Sequence, residues 1–245
     1  MSGFELARPR DISALFADAL GVYRRHLGSF LALSAAIVVP VHLVVDGIGL
    51  EELTGPYDSS PSVAETALPT AVSFLVVAPL ISAVCIHAIH ASAAETPPRA
   101  REALQSGLDA FAPIFLAVVL AGIGISIGLV LLVVPGVFLA VRWYFVPQAV
   151  MVDGARGARA LKRSGDLVRG QWWRTFGLLV AANLAAVIPG VVLVTPFDAI
   201  ASSADRAVWS LVGTVATETI TAPFVALFST LLYYDLRTRS RGALA

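Results

Sequence analysis

The chain has 245 residues, 57% of them hydrophobic and only 14% charged, with a formal net charge of zero. Soluble domains carry about 25% charged residues, and a soluble chain this apolar would expose large sticky patches, so the composition points to the bilayer. Zero net charge gives no global attraction to nucleic acid, and the single cysteine, Cys85, leaves no internal disulfide framework. Lys162 is the only lysine beside the arginines, which with the abundant alanine is the usage of a G+C-rich bacterial genome.

The first element is a short amphipathic helix. Ile12, Leu15, Phe16, Ala19, Leu20 and Tyr23 recur at helical spacing, the charges fall elsewhere, and Asp11 suits the N-cap. Such a helix lies in the plane of the membrane interface. A bilayer core of about 30 Å needs about 20 apolar residues in a helix. Six segments meet that length: 28–50, 67–91, 111–134, 136–152, 175–195 and 208–234. The polar-faced stretch before the first has no short apolar core and cleavage site, so no cleaved leader is expected. A proline sits in or at the end of every span. It removes a hydrogen bond and bends the axis, which suits either a plain packed bundle or a transport path.

Basic residues set the orientation. Arg8, Arg10, Arg24 and Arg25 precede span 1, and Arg99 and Arg101 fall between spans 2 and 3. Arg156, Arg159, Lys162, Arg163, Arg169 and Arg174 fall between spans 4 and 5, and Arg237, Arg239 and Arg241 follow span 6. Fifteen of the 17 basic residues therefore share one side, leaving Arg206 opposite and Arg142 inside span 4. Both termini are expected to be cytoplasmic, in a bacterial inner membrane. The run LKRSGDLVRGQWWRTFGLLV, from Leu161, ends on Trp172 and Trp173, aromatic rings of the kind that sit at headgroup level. Arg156, Arg159, Lys162, Arg163, Arg169 and Arg174 beside them then face anionic lipid, each contributing about 1 kcal/mol near such a surface. Plain positive-inside topology accounts for most of the same signal.

The helix before span 1 has echoes. Ala158, Leu161, Val168 and Trp172 repeat its pattern before span 5, and Leu104, Leu108 and Phe111 do so more weakly before span 3. Val39-Pro40, Val134-Pro135 and Ile188-Pro189 then recur in the outward spans, and Ala78-Pro79, Val146-Pro147 and Ala222-Pro223 in the return spans. The expected architecture is an all-α polytopic bundle built as three parallel pseudo-repeats. Each has an interfacial helix, a span out and a span back, at about 10–91, 98–152 and 155–236, and a basic tail occupies 237–245.

The order PG, RW, P, acid, ALKRS, LVRG and WW in 135–173 resembles a broad bacterial group of six-span proteins related to the membrane domain fused to some glycerophosphodiester phosphodiesterases. The likeness covers most of the chain. It implies the six-span fold but not the phosphodiesterase activity, because no soluble stretch here is long enough for the fused catalytic barrel. The resemblance assigns no chemistry to the motif.

Ionisable groups inside a membrane are functional candidates because they are costly to hold there. At 1.5 Å per residue, Asp46, Arg142 and Glu218 lie about 6, 9 and 15 Å below the outer edge, so Arg142 has the depth to pair with Glu218 or Asp46. Such a pair would fix helix register or mark a ligand or ion path. Ser210, Thr214, Thr217 and Thr221 form a hydroxyl stripe beside Glu218, suited to interhelical bonds or a wet cavity. Gly124, Gly128, Ala182, Ala186 and Gly190 suit close helix approach, with Asn183 bonding across.

His87 and His90 are i, i+3, and His42 and Asp46 are i, i+4, but the pairs fall at opposite membrane faces, so no metal site is expected. Glu51-Glu52 lacks the arginine of intramembrane prenyl-endopeptidases. HExxH, GxSxG and Walker motifs are missing, so no enzyme activity and no cofactor are expected. Asp153-Gly154 and the basic helix give a weak phosphate-headgroup signal. The residues point first to a non-catalytic component that binds anionic lipid or scaffolds a membrane protein partner, and no nucleic acid. Second comes a transporter of a small molecule or lipid with its site near Arg142 and Glu218.

Overall fold

A computed structural model of the chain describes residues 11–45, 56, 58, 62, 67, 70–93 and 100–242. Among the described residues the ordered elements are all helical: α1 (Ile12–Arg25), α2 (Leu27–Val45), a π-turn (Ser73–Val77) running into α3 (Ala78–Ala93), α4 (Ala100–Leu131), α5 (Val133–Arg142), α6 (Val146–Asp153), α7 (Ala158–Val168), α8 (Trp172–Ala204) and α9 (Val208–Gly242). Six segments are long and apolar enough to cross a bilayer: Leu27–Val44, Thr70–His87, Leu104–Leu131, Val133–Asp153, Trp172–Ala204 and Val208–Ser240. The chain is a multi-pass membrane protein, as its apolar runs imply.

The prolines act differently in different spans. Pro40, Pro113, Pro189, Pro196 and Pro223 lie inside continuous helices. Pro79 has no N–H to give the carbonyl of Leu75, and the turn before it, Ser73–Val77, is wound as a π-turn. Pro147 has the largest effect. Its ring and missing N–H oppose a helical bond to the carbonyl of Trp143, and the fourth span breaks there into α5 and α6. Span 4 is thus two helices joined by a turn at 143–145, where the sequence suggested one. The Trp143 carbonyl accepts instead from the Val146 N–H at 3.2 Å. A second departure is α4, which runs unbroken through positions 104 to 131, so no separate interfacial helix precedes span 3. Nothing between Leu104 and Phe111 stops a helix, and Pro113 costs it only one internal bond.

α9 is the hub. It packs against α1, α2, α3, α7 and α8. Every residue from Ala226 to Leu236 is buried, which is the signature of a helix surrounded by others. Phe16 of α1 lies 4.6 Å from Phe228, ring centre to ring centre, and Phe145 lies 6.0 Å from Tyr233. The apolar surface on the far side of the outer helices, such as Val130, Val134 and Val192, is exposed as a lipid-facing surface would be.

Small residues set the helix approaches, as the sequence suggested. A Cβ on Gly128 would lie 3.0 Å from the Cα of Gly136, and one on Gly124 would lie 2.4 Å from the Trp143 ring. A Cβ on Gly190 would meet the Thr217 methyl at 3.2 Å, and Ala182 and Ala186 are buried on the same helix. Gly154 and Gly170 adopt left-handed conformations, with φ of 64° and 77°, at the two connections that flank α7.

Candidate functional site

The break in span 4 is held from outside. Ser164, fully buried on α7, donates to the Arg142 carbonyl at 2.8 Å and accepts from the Phe145 N–H at 3.2 Å. A Cβ on the adjacent Gly165 would come within 2.6 Å of Arg142 Nε, so the SG pair of the ALKRS–G run exists because α7 lies against this turn. Trp172 completes the packing. Its indole N–H reaches the Phe138 carbonyl at 3.3 Å, and its ring stacks on Phe138 and Phe176. Of the Trp pair, Trp172 is a packing residue and Trp173, 79% exposed, is the one facing outward.

The basic run divides in the same way. Arg163 donates through Nε to Asp153 Oδ2 at the end of α6. Burial opposes its charge, but the hydrogen bond and charge of Asp153 outweigh that and raise the guanidinium pKa. Asp153 also accepts from the Tyr233 hydroxyl at 2.7 Å and pairs with Arg237 at 3.0 Å. Arg174 reaches the fully buried Asp235 at 2.7 Å, and Arg239 joins it at 3.0 Å. Two acids, one half-buried and one fully buried, thus gather four arginines from three elements. Arg237 and Arg239, read from sequence as tail, lie within α9 and belong to this network. Arg156, Arg159, Lys162 and Arg169 stay exposed, Arg169 with only a loose 3.5 Å contact to Asp166.

The intramembrane pair is not the one that depth suggested. Glu218 Oε2 lies 2.6 Å from His42 Nε2, and Arg142 lies over the Phe138 ring, 6.0 Å from its centre, and against α7. A shared outer half of the bilayer left the direction round the helix open, and α2 presents His42 to Glu218. Asp46 lies outside the described residues, as does the side chain of His90. Thr221 donates to its own helix at the Thr217 carbonyl, the Thr217 and Thr221 methyls approach Gly190, Ser210 donates to Asp198 at 2.8 Å, and Thr214 is exposed. The hydroxyl stripe therefore packs α9 on α8. Asn183 donates to the Leu179 carbonyl at 2.8 Å on its own helix rather than across a seam.

Beside Glu218 a cavity of about 550 Å³ opens between α3, α4, the span 4 turn, α8 and α9. Its wall is mostly apolar, with Glu218, Gln148, Ser82 and Thr221 among the polar groups. Gln148 is 2% exposed. Its amide N–H donates to Ser229 Oγ at 3.0 Å, while its Oε1 has no partner. Sequence reading missed Gln148 because it is neutral, although an amide between Pro147 and Ala149 in a bilayer span is itself an unusual choice. No three of histidine, cysteine, aspartate and glutamate converge among the described residues.

Residues 66–236 match a protein family described as a domain of unknown function, DUF7847. No curated protein and no solved structure matches the chain. The match begins after α2, takes in the broken span, α7, Asp153 and Asp235 with Arg163 and Arg174, and most of α9, and covers well over half of the chain, which therefore belongs to the DUF7847 family.

Proposed function

We propose that the protein is a non-catalytic component of a bacterial cytoplasmic membrane, with both termini cytoplasmic, that binds anionic lipid or scaffolds a membrane protein partner, lipid binding being the reading its basic face favours. The division of the basic run carries this reading. Ala160, Ser164, Leu167 and Val168 bury one face of α7, and Arg163 and Arg174 anchor it to Asp153 and Asp235. Arg159, Lys162 and Arg169 are left at helical spacing on the other face, with Arg156 and Trp173 at its ends. A rigidly held basic and aromatic face suits headgroups better than a mobile tail does. At about 1 kcal/mol per charge, changing Arg156, Arg159 and Lys162 to glutamine removes about 3 kcal/mol, roughly a hundredfold in lipid affinity. Native mass spectrometry of gently extracted protein reads this directly, and unchanged retention of anionic phospholipid by the triple variant would refute it. The orientation has its own test: a reporter fused after Asp58 reads non-cytoplasmic.

The same reading takes the chain as three units, akin to the membrane domain of certain phosphodiesterases. Two observations support it. The leading segment of each unit packs on the return span of the unit before, in a closed cycle: α1 on α9, the start of α4 around Gly107 on α3, and α7 on α6. The buried Leu15, Ala19 and Tyr23 of α1 also stand at one constant offset from the buried Ala160, Ser164 and Val168 of α7.

A second reading, a transporter of a small molecule or lipid, is favoured by the cavity beside Glu218. It predicts a folded Glu218→Gln protein that no longer moves substrate. Lipid binding at the basic face predicts no such loss.

A further inference from the structure

We infer that the cavity beside Glu218 is a binding site for a bilayer amphiphile whose head donates hydrogen bonds, a hydroxyl or an ammonium, with its chain leaving between α3 and α4. The inference rests on the cavity of the transport reading and is independent of the basic face.

The polar groups decide the head. Gln148 Oε1 is a buried acceptor that lacks a donor, and an unmet amide oxygen in the bundle interior costs stability unless something fills it. Glu218 adds a carboxylate, of which only Oε2 is engaged by His42. Thr221 and Ser229 have already given their hydroxyl protons to backbone carbonyls. The described lining residues include no lysine and no arginine. Tyr144 and Ser82 add hydroxyls that can donate or accept, and the oxygens left open, Gln148 Oε1 and the second oxygen of Glu218, are acceptors with no lysine or arginine beside them, so a hydroxyl or ammonium head is held while a carboxylate or phosphate head finds no such cation to pair with.

The apolar wall decides the rest. A second groove of about 500 Å³ runs between the start of the second span and α4, lined by Leu75, Val119, Ile123 and Ile127. It shares Phe74 and Ile125 with the cavity, so the two spaces meet at those side chains. Phe74 is 55% exposed, and Ile123 and Ile127 also face outward, so the groove opens on the lipid side. Phe74 lies inside the π-turn Ser73–Val77, a distortion that occurs frequently where helices line functional sites. The cavity is of the size that holds a small ligand or one lipid head, and the groove takes one chain.

Three probes with the same eighteen-carbon chain test the assignment: oleyl alcohol, oleylamine and oleate, titrated into the purified full chain and read by native mass spectrometry. The expected result is one bound molecule per chain of the alcohol or the amine, with oleate at least tenfold weaker. Which of the two binds more tightly tells the hydroxyl source from the ammonium source. Gln148→Leu should weaken the preferred probe about tenfold. Phe74→Trp, at an exposed position that leaves the fold intact, should weaken it comparably by filling the junction. Oleate binding as well as the other two would overturn the assignment. So would no adduct with any probe, or a folded Phe74→Trp protein that binds the preferred probe like the parent. Each of those outcomes leaves the anionic-lipid proposal standing, because that one is read from phospholipid retention in the basic-face variant.

Discussion

Replacing Ser164 by alanine tests whether α7 holds the break in span 4. The substitution leaves no hole and alters no charge, but it removes two hydrogen bonds. The Phe145 N–H, in a fully buried residue, loses its acceptor, and the part-buried Arg142 carbonyl loses its donor. An orphaned buried backbone group costs about 1–3 kcal/mol, while interhelical hydrogen bonds in bilayers average about 0.6 kcal/mol because unfolded segments find other partners. Two groups, one only part-buried, give about 2 kcal/mol. Reversible unfolding in mixed detergent micelles measures it, with Ser203→Ala as the control. Ser203 is exposed, donates only to Ile200 on its own helix, and should change stability by less than about 0.5 kcal/mol. A Ser164→Ala protein that unfolds with the parent would refute the argument that this serine completes the broken span.

Gly136→Ala should destabilise by about 1–3 kcal/mol, because the new Cβ would lie 2.7 Å from the backbone nitrogen of Leu129 and that atom cannot turn aside. Gly21→Ala, on an exposed face of α1 with nothing within 4 Å, should be neutral or stabilise by about 0.5–1 kcal/mol; the same unfolding assay separates the two. Asp235→Asn should cost about 3 kcal/mol by removing the buried charge that Arg174 and Arg239 share, and Arg174→Gln should then cost much less in that background than in the parent. His42→Leu and Glu218→Leu should each destabilise alone, while the double variant costs less than the sum of the two, since each single change leaves the other member of this part-buried pair without its mutual contact. A strictly additive double variant would mean that the 2.6 Å contact carries no coupling.

The six spans were legible because twenty apolar residues have few other places to be, and composition alone carries that signal. The small-residue approaches at Gly124, Gly128 and Gly190 were legible for a related reason: a glycine in a bilayer helix is unusual unless something comes close. The break at 143–145 was not. Five prolines sit in unbroken helices here, and what distinguishes Pro147 is Ser164, a residue on a different helix that satisfies the freed backbone. Pairing Arg142 with Glu218 failed because depth is one coordinate of three, and the azimuth that turns Glu218 to His42 is set by how α2 packs on α9. Reading the basic run as one lipid-facing set could not tell Arg163 and Arg174 from their neighbours, because their partners Asp153 and Asp235 lie on other elements. Asp235 gave no warning of its own: it stands among arginines at a span end, where an acid usually faces water.

The elbow in span 4 also bears on the order in which the protein is made. The segment Val133–Asp153 has a mean hydropathy of 1.4, the lowest of the six, against 2.8 for the segment before it. When it reaches the insertion machinery, the serine that will satisfy its bend is still inside the ribosome or its exit tunnel. The segment therefore enters as the weaker arm of a hairpin, carried by α4 through the approach of Gly128 to Gly136. Its final shape is set only when α7 emerges and seats Ser164, and Asp153 acquires Tyr233 and Arg237 only with the last helix. The middle of this chain is thus finished by its end, and truncation from the C-terminus should be felt first at the elbow rather than at the cut.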